Sequence, residues 1–321
     1  MLLSKSSVMS ISLDSAGLVA LADLASISER TALTGTASFT DVLLLAPGIH
    51  TQQQASNVNG GEFPAVAAMT SGFVFRIENQ AMVFYLQRVS SPGHLTSVAV
   101  ERVRTPPRWM QCPSLASVLY SVGIGLTIIS FVALGIIRDF WAIGVLMMLV
   151  LARALNFIVM RRRAAKGWKG KSEPGVPADL LVLLSQDRWV RIQGLVDDVK
   201  EVTSGQWLRD VQPLESFAVA CATLIVYSAA ALATNASTIG SLFIALHLLA
   251  SVALLGLCNA LTRDLHMFNC RVYTKGTPRR YERRLDMANE MIASHDGRRD
   301  WAVGMGLVLP EAGENFGQAI M

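Results

Sequence analysis

The sequence predicts an α-helical membrane protein: four transmembrane helices as two antiparallel hairpins, plus a mixed α/β cytoplasmic domain built from the N-terminal region, the central connector and the C-terminal tail. Three observations carry this expectation. Two apolar runs, LASVLYSVGIGLTIISFVALGII and FWAIGVLMMLVLARALNFIVM, fill residues 115–160 with only Arg138-Asp139 between them, and a second pair fills 217–261. Lysine and arginine gather just outside these runs, at 161–171 and after Leu261. The remaining stretches, 1–110, 161–214 and 262–321, contain short strand-like and amphipathic pieces.

A helix rises about 1.5 Å per residue, so a run of roughly 20 residues crosses a hydrocarbon core of about 30 Å. The chain has 321 residues, 52% hydrophobic and 16% charged. Soluble domains carry about 25% charged residues, and here the apolar runs account for the shortfall. The formal charge of +4 could point to nucleic acid, but the basic clusters abut the apolar runs. Membrane topology explains them, and no nucleic-acid partner is expected.

The chain in order begins with MLLSKSSVMSISLDS, which lacks the pattern of a secretory signal. Asp14 is placed to cap a helix with Leu18, Leu21, Ala22 and Ala25 on one face, ending at Thr34-Gly35. Asp41-Val-Leu-Leu-Leu-Ala-Pro-Gly reads as a buried strand stopped by Pro47-Gly48, and His50 to Gly61 as a polar loop. Phe73 to Ile77 and Met82 to Val89 read as a hairpin around Glu78-Asn79-Gln80, and Leu95 to Arg104 as a further strand. Trp109 suits the headgroup layer before the first span.

Within that span Ser117, Ser121 and Gly125 share a face, a pattern that favours close helix packing and permits a homo-oligomer. The connector opens with Arg161, Arg162 and Arg163 and continues through Lys166, Lys169 and Lys171. Leu180 to Leu184 and Arg188 to Gln193 read as strands around Ser185-Gln186-Asp187, and Leu195 to Trp207 as a helix. In the tail, Thr277-Pro278 reads as a helix start, with Tyr281, Leu285, Ala288 and Ile292 on one face. Trp301 to Met321 yields no assignment.

Cationic residues set orientation. The connector and both outer flanks are rich in them, while the two tight turns contain only Arg138. Both termini and the connector are therefore expected in the cytosol, sharing one compartment and folding into one domain. The alternative is a folded N-terminal domain with two loose appendages. Span length leaves the choice of membrane open.

Few residues carry a chemical signal. His247 lies mid-span with Ser251 one turn on, and an ionisable group at that depth is a candidate proton or ligand site. The spans contain no Asp, Glu or Lys, which favours a neutral histidine bonded to a neighbouring helix. Arg153 is expected to snorkel to the cytosolic end, and Asn156 and Asn259 to bond across helices. Arg161, Arg162, Arg163, Arg279, Arg280, Arg283 and Arg284 are candidates for anionic lipid headgroups. The last four fall in the first turns of the expected tail helix, where the dipole disfavours cations. Their other reading is topology, or pairing with Glu282 and Asp286.

Gly170-Lys171-Ser172 resembles the end of a phosphate loop, but Ala165 stands where the pattern needs glycine. Asn235-Ala236-Ser237 is a sequon read as a chance match. The five histidines show no metal-ligand spacing, and the four cysteines form no paired motif. Cys112 and Cys270, just outside the spans, are the positions where palmitoylation would act. No catalytic set, metal or cofactor is expected.

Three passages, Asp41 to His50, Asn59 to Ala65 and Leu181 to Gly194, resemble a family of uncharacterised multi-pass membrane proteins of filamentous fungi. The resemblance covers most of the chain and implies a fungal membrane protein, without an activity or ligand. The expected function is a non-enzymatic membrane protein whose cytosolic domain binds another protein or the inner leaflet. A small transporter or channel using polar groups in the bundle is the alternative, and a membrane-embedded enzyme comes third.

Overall fold

The computed structural model describes residues 15–103, 114–164, 167 and 169–311. In chain order the helices are α1 (Ser15–Ala20), α2 (Ser26–Thr34), α3 (Gln80–Val89), α4 (Leu115–Ile137), α5 (Phe140–Arg163), α6 (Val196–Thr203), α7 (Pro213–Leu232), α8 (Thr238–Leu261), α9 (Arg284–Ala293) and α10 (Asp300–Gly304). The strands are β1 (Ala65–Ala68), β2 (Val74–Arg76), β3 (His94–Arg102), β4 (Pro177–Leu184), β5 (Arg188–Leu195), β6 (Leu265–Met267), β7 (Cys270–Thr274) and β8 (Arg279–Arg280). The chain divides into two compact units, one of Met1–Ala55, Pro106–Ala165 and Leu208–Thr262, the other of Ser56–Thr105, Lys166–Trp207 and Arg263–Met321.

The first unit holds four helices long and apolar enough to cross a membrane: Leu115–Ile137, Phe140–Arg163, Pro213–Asn235 and Thr238–Leu261. Their caps are local. Ser114 accepts from the Ser117 amide, Ser237 from Gly240, and Asp139 from Ala142, so each chain reversal starts its helix with a side-chain acceptor. Asp139 does more, because its carboxylate also takes the Ser237 amide at 2.9 Å and the Ser237 hydroxyl at 2.6 Å. The same carboxylate fills the space a Cβ would need at Gly240. The two reversals are thereby tied together.

Packing departs from the expectation in two respects. α5 packs most extensively against α7, and α4 against α8, so contact runs between the two expected hairpins more than within them. The buried face of α4 is Ala116, Gly123, Thr127, Ser130 and Leu134. Ser117 and Ser121 are exposed and nothing lies close to Gly125, so that small-residue face packs against no other helix among the described residues.

Residues 15–55 belong to this helical unit, where the sequence reading placed all of 1–110 in the α/β region. The helix expected from Asp14 is broken into α1 and α2, and Gly35 closes α2 in the left-handed region at φ 70. The strand expected over 41–48 is a 3-10 helix, Phe39–Leu43, because Ser38 and Asp41 form a reciprocal capping box. Leu44, Leu45 and Ala46 follow, buried but in no strand. The expected polar loop is a second 3-10 helix, Ile49–Asn57, with Ile49, His50, Gln52 and Ala55 buried. Gly48 joins the two at φ 95, with the Leu24 carbonyl where a Cβ would stand.

The second unit is a mixed sheet ordered β2-β1-β4-β5-β3-β7-β6, with β8 on β3. β4 and β5 fall where two strands are expected and pair antiparallel, and the turn between them places Gln186 and Asp187 at φ 61 and 53. β3 pairs parallel with β5 and antiparallel with β7, so the sheet draws on all three segments of the unit. The expected strand over 82–89 is instead α3. The Asn79 side chain accepts from the Met82 amide and caps it, and Gln80, Ala81, Met82, Val83, Tyr85 and Leu86 are buried.

One face of the sheet, carrying Leu95, Leu181 and Trp189, is covered by Met287, Ala288, Met291 and Trp301 from α9 and α10. Period-two alternation sends Leu180, Val190 and Ile192 to the other face, where α6 packs. α6 stops at Thr203, short of the expected Trp207, and Gly205 follows with φ 73. α9 starts at Arg284 instead of Thr277, because Arg279 and Arg280 pair with Leu95 and His94 as β8. α10 occupies part of the stretch left unassigned.

Arg298 and Asp300 lock α10 to the β1–β2 turn. The Arg298 guanidinium donates to the Thr70 and Ser71 carbonyls and pairs with Asp300 at 2.7 Å. Arg298 holds the Asp300 carboxyl below the usual carboxylate range, against the opposing effect of partial burial. A depressed carboxylate stabilises the fold above its unfolded pKa, and that contribution is lost as pH falls through the folded value. Asp300→Asn should therefore lessen the loss of thermal stability between about pH 5 and about pH 3, read as melting temperature of the full chain in micelles.

Candidate functional site

The polar side chains of the helical unit converge on the segment Ser26–Gln53. α5 presents a buried face that runs from Ala142 through Leu149, Ala152, Arg153, Asn156 and Met160 to Arg163. Helical periodicity puts Arg153, Asn156 and Arg163 on the same apolar stripe, so each enters the core rather than facing outward.

Each of these groups donates to a backbone carbonyl. Arg153 Nε reaches the Asp41 carbonyl at 3.0 Å, Asn156 Nδ2 the Ile49 carbonyl at 3.0 Å, and Arg163 Nη1 the Gln53 carbonyl at 3.4 Å. From α4, the Thr127 hydroxyl donates to the Leu43 carbonyl at 2.6 Å. From α8, Asn259 Nδ2 donates to the Ser26 carbonyl at 2.8 Å. Three helices thus satisfy the carbonyls of Ser26, Asp41, Leu43, Ile49 and Gln53. The Asp41 carbonyl also accepts the Leu44 amide at 3.1 Å, so the side chain there adds a second bond; a carbonyl with no bond at all in an apolar core would cost several kcal/mol.

Asp41 is the hub. Its carboxylate accepts the Ser38 amide at 2.7 Å and the Tyr120 hydroxyl from α4. The Thr40 hydroxyl meets Tyr120 at 2.9 Å, and the Arg30 guanidinium lies 5.3 Å over the Tyr120 ring. Arg30 also donates to Thr262 at 3.0 Å. Arg153 is 1% exposed, and Asp41 supplies the opposing charge nearby.

These positions revise the sequence reading. Arg153 does not snorkel to the end of its helix but is buried, with its Nε on the Asp41 carbonyl. Asn259 bonds across helices, from α8 to Ser26 at the start of α2, and Asn156 bonds from α5 to the Ile49 carbonyl of the N-terminal segment. Arg163 is buried and donates to the Arg209 carbonyl at 2.9 Å, so it is withdrawn from the headgroup candidates. Arg161 and Arg162 remain exposed, Arg161 lying 5.9 Å over the Phe157 ring.

The tail arginines do not sit together in a first helical turn. Arg279 pairs with Glu290, and Arg284 with Asp187, in place of Glu282 and Asp286. Arg280 and Arg283 are exposed and form no ion pair among the described residues.

His247 is buried between Ser130 and Thr127 of α4, at 3.2 Å from its Nδ1 and 3.4 Å from its Nε2. Thr127 spends its hydroxyl hydrogen on the Leu43 carbonyl, so it accepts from His247 Nε2–H. In the neutral ring Nδ1 then accepts from Ser130. Among the described residues no group of three or more His, Cys, Asp or Glu is placed to hold a metal ion.

Sequence reasoning missed Asp41, Tyr120, Thr127 and Ser130. Asp41 was a usable signal: one acid opening an apolar run, three residues after a serine, is a capping box written in the sequence. Thr127 and Ser130 carry no such mark.

Asn156→Leu removes one bond to the Ile49 carbonyl and should destabilise the full chain by about 0.5–1.5 kcal/mol. Thr127→Val should do the same at Leu43, whereas Ser117→Leu, on the exposed face, should be neutral. Thermal unfolding in micelles, with protease sensitivity within 26–55, checks all three.

Comparison of the chain with protein-family models, with curated proteins and with solved structures returns no match.

Proposed function

We propose that this chain is a non-enzymatic integral membrane protein whose helices, clasped around its own N-terminal segment, anchor an α/β unit that binds a cytosolic protein partner or the inner leaflet. The observation that supports this reading best is the use of the intramembrane polar groups. Arg153, Asn156, Thr127 and Asn259 are directed at carbonyls of the same chain, and His247 at hydroxyls of α4. Groups committed to holding backbone are poorly placed to bind and release a passing solute.

In this reading each of the pairs α4–α5 and α7–α8 crosses the bilayer as an antiparallel hairpin. The termini and the 161–214 connector lie in the cytosol, and the Arg138-Asp139 and Thr234–Ser237 reversals on the far side. The lysine and arginine distribution supports that orientation. The resemblance to fungal multi-pass membrane proteins accords with it and adds no activity.

A second reading, a small transporter or channel, is favoured by one observation. Arg153 Nη1, Asn156 Oδ1, His50 Nδ1 and both amide atoms of Gln52 are buried and make no hydrogen bond among the described residues. In hydrocarbon such atoms are costly unless they meet water or a polar solute.

Single cysteines at Lys171, Lys275 and Thr234, in a chain whose native cysteines are serine, test the topology. A membrane-impermeant maleimide should label Lys171→Cys and Lys275→Cys from the cytosolic face and Thr234→Cys from the other. Labelling of Lys171→Cys and Lys275→Cys from opposite faces would end the proposed arrangement. Ion or proton flux in proteoliposomes that His247→Ala or Arg153→Met abolishes would replace the anchor with the transporter.

A further inference from the structure

We propose that the sheet face beside α9 carries a binding site for a phosphorylated polyol, with Lys275 as its phosphate contact. Of the tail arginines, Arg279 lies in a concave site. A cavity of about 360 Å³ opens there, walled by Ser97, Arg191, Gln193, Lys275, Arg279 and Glu290. At about 30 Å³ per water-sized group, that space takes a dozen such groups, more than a bare phosphate ion fills.

The register explains the convergence. Ser97 pairs with Arg191 across β3 and β5, and both share the face of Leu95 and Trp189. The Lys275 amide bonds to the Ser97 carbonyl at 2.8 Å, which sets the β7 end over the same face. β8 then brings Arg279 alongside Leu95.

The charges there do not cancel. Arg191 is bound by Asp179 at 2.5 Å, and Arg279 by Glu290. Asp179 also accepts from Gln193 at 3.3 Å and faces His295 at 3.3 Å. Both arginines are thus held in fixed orientations by carboxylates, leaving Lys275 in excess. Lys275 is exposed and makes no ion pair among the described residues.

The remaining donors and acceptors give the ligand its class. The Ser97 and Thr277 hydroxyls line or flank the cavity and make no hydrogen bond among the described residues. A lysine ammonium is a strong point-charge partner for phosphate, which brings about −1.5 to −2 of charge. Glu290 would repel a second anionic group but accepts from hydroxyls, as does the Gln193 carbonyl oxygen. One phosphate on a hydroxyl-bearing body satisfies both ends. This holds on either side of the bilayer and is independent of the proposed function.

The body could be a soluble sugar phosphate or the headgroup of a lipid, and the test separates them. The full chain in micelles is titrated with inositol 4-phosphate, inositol and inorganic phosphate by calorimetry, and its adducts with phosphatidylinositol 4-phosphate and phosphatidylcholine are counted by native mass spectrometry. Saturable binding of inositol 4-phosphate, at least about tenfold tighter than inositol, supports a soluble ligand. Selective phosphatidylinositol 4-phosphate adducts without soluble binding support a headgroup. In either case Lys275→Gln should weaken binding about tenfold at unchanged melting temperature, and Lys171→Gln should not. No preference for the phosphorylated form, or wild-type binding by Lys275→Gln, would overturn the proposal.

Discussion

The helical unit is governed by a single constraint: backbone polar groups inside an apolar core must be bonded from within. α4, α5, α7 and α8 meet it internally. The stretch from Thr36 to Asn57 meets it only in part through its own 3-10 turns, and the Leu43 carbonyl, at the end of the first of them, is bonded by Thr127. The helices supply what it lacks, and the donors on α5 fall at Arg153 and Asn156 because i and i+3 share a face. The alternative cost, several kcal/mol for each orphaned carbonyl, is large against a total stability of about 5–15 kcal/mol. Polar residues in these spans are therefore structural before they are anything else.

The α/β unit depends on a different economy. β3 has β5 on one side and β7 with β8 on the other, and these come from separate parts of the chain. None of the three segments completes the sheet alone. Asp139 plays the corresponding part in the helical unit, where one carboxylate caps α5 and holds the start of α8 through Ser237. In both units a group far away in sequence finishes a local element.

How much of this was legible follows from those facts. The spans were, because apolar length is a property of the residues themselves. β4 and β5 were, because alternating apolar residues flank a tight turn. The 3-10 helix at Phe39–Leu43 was mistaken for a strand, since Val42, Leu43, Leu44 and Leu45 look like one. Only the Ser38–Asp41 box argued otherwise. α3 was mistaken because Met82 to Val89 is apolar enough for either state, and Asn79 decides it as a cap. The site was half legible: His247, Arg153, Asn156 and Asn259 stand out by their depth in apolar runs. His247 meets the Ser130 and Thr127 hydroxyls, but the partners of Arg153, Asn156 and Asn259 are backbone carbonyls, which carry no residue identity, so no inspection of side chains could name them.

Arginines show the same limit from the other side. Arg161, Arg162 and Arg163 are consecutive and identical, and a helix turns about 100° per residue, so they cannot share an environment. Two stay exposed while the third enters the core and reaches the Arg209 and Gln53 carbonyls. Arg279 and Arg280 diverge in the same way through the two-residue alternation of a strand, Arg279 joining Glu290 and the cavity while Arg280 stays clear of both. Orientation in a membrane depends on counting such charges near the span ends, and that count survives any local geometry. Recognition depends on which of them face one another, and this is decided only once the period of the element is known. A basic run is thus sound evidence for the side of a membrane and weak evidence for a site. Lys275, one of the basic residues after Leu261 and without an ion pair among the described residues, is where the second question has its proposed answer.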